Sequence, residues 1–197
     1  MKILARSFFT KWDKKKIYLD EITFDARKLA VERGLNFAFY TILSKGRGSK
    51  FSTLAKIDRA KSLKNRSINI IFFSRVLMDS EKEIKVTIFH EYCHFLYAYA
   101  DPLHSKIKKF YHSGRFPNRR NSVEEDFCDL FGYYIVDNDT GDQEIDSFLE
   151  EYIHLTYQII TNDPFNGKLP LERNNWMKKY SDMSETYFEP YYPLQQK

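Results

Sequence analysis

The chain has 197 residues, 43% of them hydrophobic and 29% charged, with a formal net charge of +4. That balance suits one folded domain and excludes a chain disordered throughout. No apolar run reaches the roughly 18 residues of a membrane span. Met1 to Thr10 is too broken in its apolar pattern for a secretory signal, so a cytoplasmic location and no membrane partner are expected.

Met1 to Lys16 carries no decisive pattern. Asp20 to Gly34 reads as a helix, with Ile22, Ala26, Leu29 and Ala30 at helical spacing and Gly34 as its stop. Leu35 to Leu43 reads as a strand. Ser44 to Arg66 is basic, and Gly46 and Gly48 mark a turn within a hairpin or loop. Ser67 to Phe73 is the strongest strand signal in the chain. A helix opens near Asp79 or Ser80, where Ser80 and Glu83 have capping-box spacing, and closes at Asp101-Pro102. Ser105 to Asn121 is basic and contains Gly114 and Pro117, so it reads as a connection with room for one helical turn. Ser122, with Glu125 three residues on, opens the next helix, which Asp137 to Gly141 ends in a turn. Ile145 to Ile160 gives a further amphipathic helix. The whole is an α+β domain over residues 1–163, followed by an aromatic tail, 164–197, docked on the body or partly disordered.

The helix that starts near Ser80 carries His90-Glu91-Tyr92-Cys93-His94. Histidines four apart lie on one helical face, so both imidazoles can reach one divalent metal, with Glu91 beside them as general base. This H-E-x-x-H pattern points to zinc and to hydrolysis. The two cysteines, Cys93 and Cys128, read as reduced thiols packed at a helix contact rather than as ligands.

A catalytic zinc commonly takes three protein ligands. Glu125, in the first turn of its helix, is the leading candidate, with Asp129 one turn on as acceptor for the outer nitrogen of a ligating histidine. The competing use of Glu125 is a capping box that returns its carboxylate to Ser122. His104 and His112 are the alternative third ligands. Glu124 is also a candidate, but its fourth successor is Cys128, which orients a histidine less well. A donor for a developing oxyanion could come from His112, His154 or Tyr157, none of which is placed by spacing.

Strand Ser67 to Phe73, the HEYCH helix, and then Glu125-Asp126-Phe127-Cys128-Asp129-Leu130-Phe131-Gly132 resemble the ImmA/IrrE-type metallopeptidases. There an H-E-x-x-H helix precedes an E-x-x-x-[ND]-x-F-[AG] pattern, which Glu125, Asp129, Phe131 and Gly132 match over a similarity spanning roughly 20–136. Cys93 stands where the family commonly has Gly, and Cys128 where it has Ala. The resemblance implies a minimal zincin-like fold: a small sheet packed on the active-site helix and a second glutamate-bearing helix. It also implies a gluzincin-like ligand set and a protein substrate such as a DNA-binding transcriptional repressor.

Two further readings stand beside it. SprT-type proteases of DNA-bound proteins combine H-E-x-x-H with a third histidine, and the basic run from Ser44 to Arg66 would suit nucleic acid. A zinc-stabilised interaction module without hydrolysis is the other. From Asp137 to Asp163 the chain instead carries eight acids and no Lys or Arg, which suits either solvated surface or a basic partner. The tail aromatics Tyr187, Phe188, Tyr191 and Tyr192 could restrain a cleft.

Overall fold

The computed structural model describes residues 11–44, 55–57, 68–73, 80–99, 103–116 and 122–161. The tail 164–197, most of the basic run Ser44 to Arg66, and Asp101-Pro102 lie outside the described residues.

The described residues form five helices and a three-stranded sheet, a mixed α+β arrangement. In chain order these are α1 (Lys11–Glu32), β1 (Phe39–Ser44), β2 (Ala55–Ile57), β3 (Ile68–Phe73), α2 (Glu81–Tyr99), α3 (His104–His112), α4 (Val123–Asp137) and α5 (Gln143–Thr161). The first helix starts nine residues before the expected Asp20. Lys11 to Lys16 extends it by more than a turn, because lysine is a good helix former even where the apolar pattern is weak. It ends as expected: Gly34 takes φ 72°, a conformation that costs glycine little, and the Leu35 amide returns to the Ala30 carbonyl at 2.8 Å.

β3 is the central strand, and all six of its residues are buried. That double-sided burial explains its Ile/Phe run, interrupted only by the buried Asn69. β1 pairs with it in parallel, Phe39 opposite Ile68, and β2 pairs antiparallel, Ile57 opposite Ile70. The first strand is shorter than the expected Leu35 to Leu43. Leu35 is buried and Phe37 packs on the core, but neither joins the ladder.

α2 starts on Ser80, whose Oγ accepts the Glu83 amide at 3.2 Å. Ile84, Ile88, Phe89, Tyr92, Phe95 and Leu96 bury it in the core. The expected connection after it instead contains α3. Ile107 and Phe110 anchor this short helix in the core, while Lys106 pairs with Glu151 on α5. A basic segment with two apolar anchors gives little periodic signal, and packing decides its conformation.

Candidate metal centre

α2 and α4 pack as an antiparallel pair, and their close approach creates the site. Gly132 permits it: a Cβ there would lie 2.7 Å from the Val86 carbonyl oxygen and 3.2 Å from the His90 amide nitrogen. The register then runs Val86 with Gly132, His90 with Asp129, and His94 with Glu124. Carboxylates of one helix therefore face imidazoles of the other.

Both histidines are held through Nδ1. His90 Nδ1 donates to Asp129 Oδ1 at 2.7 Å, and His94 Nδ1 donates to Glu124 Oε1 at 2.8 Å. A ring that donates through Nδ1 presents Nε2 as its metal-binding atom. The two Nε2 atoms lie 3.1 Å apart. Glu125 Oε2 is 3.4 Å from His90 Nε2, and Glu125 Oε1 is 3.5 Å from His94 Nε2. Donors about 2.0–2.1 Å from one tetrahedral ion stand roughly 3.3 Å from each other, so these spacings fit a single divalent metal. His90, His94 and Glu125 are the group among the described residues that could hold a metal ion, their ligand atoms all lying within 4.8 Å of one another.

The start of α4 explains how Glu125 is released for this role. Ser122 Oγ accepts the Glu125 amide at 3.3 Å and caps the helix. The Glu125 carboxylate turns to the histidines, so only the serine half of a capping box serves the helix end.

The electrostatics follow from this packing. Burial opposes charge on the His90 ring, but the hydrogen bonds it donates to Asp129 and Glu125 override that and push its pKa up to about 11. His94 also moves well above its ordinary value despite burial, with Cys128, Glu124 and Glu125 nearby. Hydrogen bonds from the two rings hold Glu125 well below the usual carboxylate range. Glu91 is buried, and desolvation raises its pKa; the nearby His94 and His90 and the Ile57 amide of β2 oppose that rise. Its carboxylate is therefore within electrostatic reach of the cluster and bonded to the sheet edge.

The other candidates stand elsewhere. His104 stacks on Tyr97 at 4.0 Å, and its Nε2 donates to the Tyr97 carbonyl at 2.9 Å. His112 is exposed against Tyr111. Neither belongs to the group that could hold a metal. His154 is exposed and pairs with Gln158, and the Tyr157 ring packs against Phe37. Cys93 and Cys128 are buried free thiols in contact with each other behind His94. Glu124 differs from its sequence reading, since it orients His94 from outside the ligand group. One signal in the sequence could have found it: on antiparallel helices, a histidine one turn further along meets an acid about one turn earlier.

No helix among the described residues is long and apolar enough to cross a membrane. Comparison with protein families, curated proteins and solved structures returns no match to this chain.

Proposed function

We propose that the protein is a zinc-dependent metallopeptidase of zincin type, in which His90, His94 and Glu125 hold the metal and Glu91 is the general base. The observation that carries this reading is the convergence of two Nε2 atoms and one carboxylate at tetrahedral spacing, with a buried glutamate inside the same motif. When bound, zinc would lower the pKa of a water molecule and polarise a peptide carbonyl. Glu91 accepts the proton from the attacking water and delivers it to the leaving amine. Its burial favours this exchange, because desolvation moves a carboxyl pKa towards neutrality. Asp129 and Glu124 keep the two imidazoles in one tautomer, which spares the site reorganisation during turnover.

The ligand set supports the ImmA/IrrE-type resemblance over the SprT-type one, which needs a third histidine where His104 is engaged by Tyr97. On that resemblance the substrate is a protein, with a DNA-binding repressor as the class to try first. A purely structural metal site would have no use for a buried acid at position 91, whose desolvation costs stability.

Glu91→Gln tests the scheme. Zinc content should stay at the wild-type level, while cleavage of an unfolded protein substrate should fall by about 10²- to 10⁴-fold. Equal cleavage by the variant would remove Glu91 from the mechanism.

A further inference from the structure

The outer face of α1 departs from an ordinary surface helix. Its inner face buries Leu19, Ile22, Thr23, Ala26 and Ala30. The opposite face carries Ile17, Phe24 and Val31, at 40%, 59% and 76% exposure. Each is seven residues from the next, so the three form one nearly straight stripe along the helix. Three of the seven exposed large hydrophobic side chains among the described residues lie on this one face of α1, a concentration rather than a scatter.

Charged residues flank the stripe, and their order is informative. One side has Glu21 and Lys28, the other Asp20 and Arg27, all exposed. Two such helices packed antiparallel about a two-fold axis through Phe24 bring each flank against its own copy in reverse order. Ile17 then meets Val31 of the second copy, and Phe24 meets its equivalent. Glu21 faces the Lys28 position and Asp20 faces the Arg27 position. Every facing pair is apolar with apolar or acid with base. A parallel arrangement in register would instead set Glu21 against Asp20 and Lys28 against Arg27 of the second copy, and so like charges.

Lys28 lies over the Phe24 ring at 4.3 Å and pairs with Asp25 at 3.1 Å, an exposed contact on its own helix that is weak enough to be exchanged for one across the axis. Arg27 is fixed against β1 by two hydrogen bonds to the Phe39 carbonyl, at 3.0 and 2.8 Å, so its position is set before a second copy docks.

We infer that the α1 outer face is an isologous docking surface for a second copy of this chain, with the two helices antiparallel about Phe24. This inference is independent of the hydrolytic reading, and it can fail or hold without affecting that reading.

Sedimentation velocity on the full chain at micromolar concentrations should give twice the chain mass. Glu21→Lys and Lys28→Glu should each weaken dimerisation by about tenfold or more, because each opposes like charges twice across the axis. The double variant Glu21→Lys/Lys28→Glu should recover most of the lost affinity. Both positions are exposed, so circular dichroism should show unchanged folding. A Phe24→Cys chain should also cross-link to itself with a short bismaleimide, the native Cys93 and Cys128 being buried. A mass of one chain at every concentration would overturn the inference. A double variant no stronger than the single ones would overturn the antiparallel pairing.

Discussion

α2 and α4 build one cluster from different surroundings. On α2 the His94 side chain is 7% exposed and His90 16%, whereas on α4 Glu125 is 47% exposed. The histidines are gripped on two sides, by core packing along their helix and by carboxylates at Nδ1. Glu125 has a capped backbone but a side chain at the solvent edge. The buried half therefore sets the geometry, and the exposed half supplies charge and access. Metal affinity should respond to both, while fold stability should respond mainly to the contact between them.

The largest effect separates the two halves outright. Glu125→Ala should strip zinc from the purified protein and leave it folded, since the residue is half-exposed, whereas His104→Ala should retain the metal. Zinc stoichiometry by atomic absorption, read beside circular dichroism, checks both; full zinc in Glu125→Ala would exclude it as a ligand. Gly132→Ala attacks the contact itself. The added methyl group meets backbone atoms of α2, so the helices must part, and a loss of about 1–3 kcal/mol in denaturant unfolding is expected together with weaker zinc binding. Unchanged stability would show that the helix pair can open without penalty.

Smaller effects sharpen the comparison. Asp129→Asn and Glu124→Gln should each weaken zinc by about 10- to 100-fold in competition with a chelator, without changing stoichiometry. An effect from Asp129 alone would deny Glu124 its role at His94. The smallest expected signal is a proton count. In the metal-free protein the folded pKa of His90 is about 11, above its ordinary 6.5. By linkage its contribution to stability is present in full below about 6.5 and is lost as pH rises through about 11. Zinc must displace that proton, so binding at neutral pH should release protons and tighten as pH rises. Titration calorimetry in buffers of different ionisation enthalpy measures the release; a heat that is the same in every buffer would contradict it.

Legibility varied along the chain for physical reasons. β3 and α2 announce themselves, because a doubly buried strand is almost wholly apolar, here all but Asn69, and a core helix repeats apolar residues at helical spacing. The caps at Ser80 and Ser122 were equally readable, being local hydrogen bonds between near neighbours. α3 was not, since its two anchors Ile107 and Phe110 gain their meaning only from the common core, where Phe110 meets Phe148 of α5. The extra turns of α1 were missed for a related reason: lysine-rich helix carries propensity without pattern.

The spacing of His90 and His94 determined their shared face, with Glu91 beside it, before any fold was known, because 3.6 residues per turn leaves no other option on a helix. The residues of α4 that could answer them were also visible, as a cluster of acids in its first turn and Asp129 one turn later. Which acid would do what was decided only in three dimensions. The approach allowed by Gly132 sets the antiparallel register, and that register hands Glu125 to both Nε2 atoms, Asp129 to His90 and Glu124 to His94. Local spacing governs contacts within a helix, but contacts between helices depend on backbone distance and register, which are properties of the packed chain.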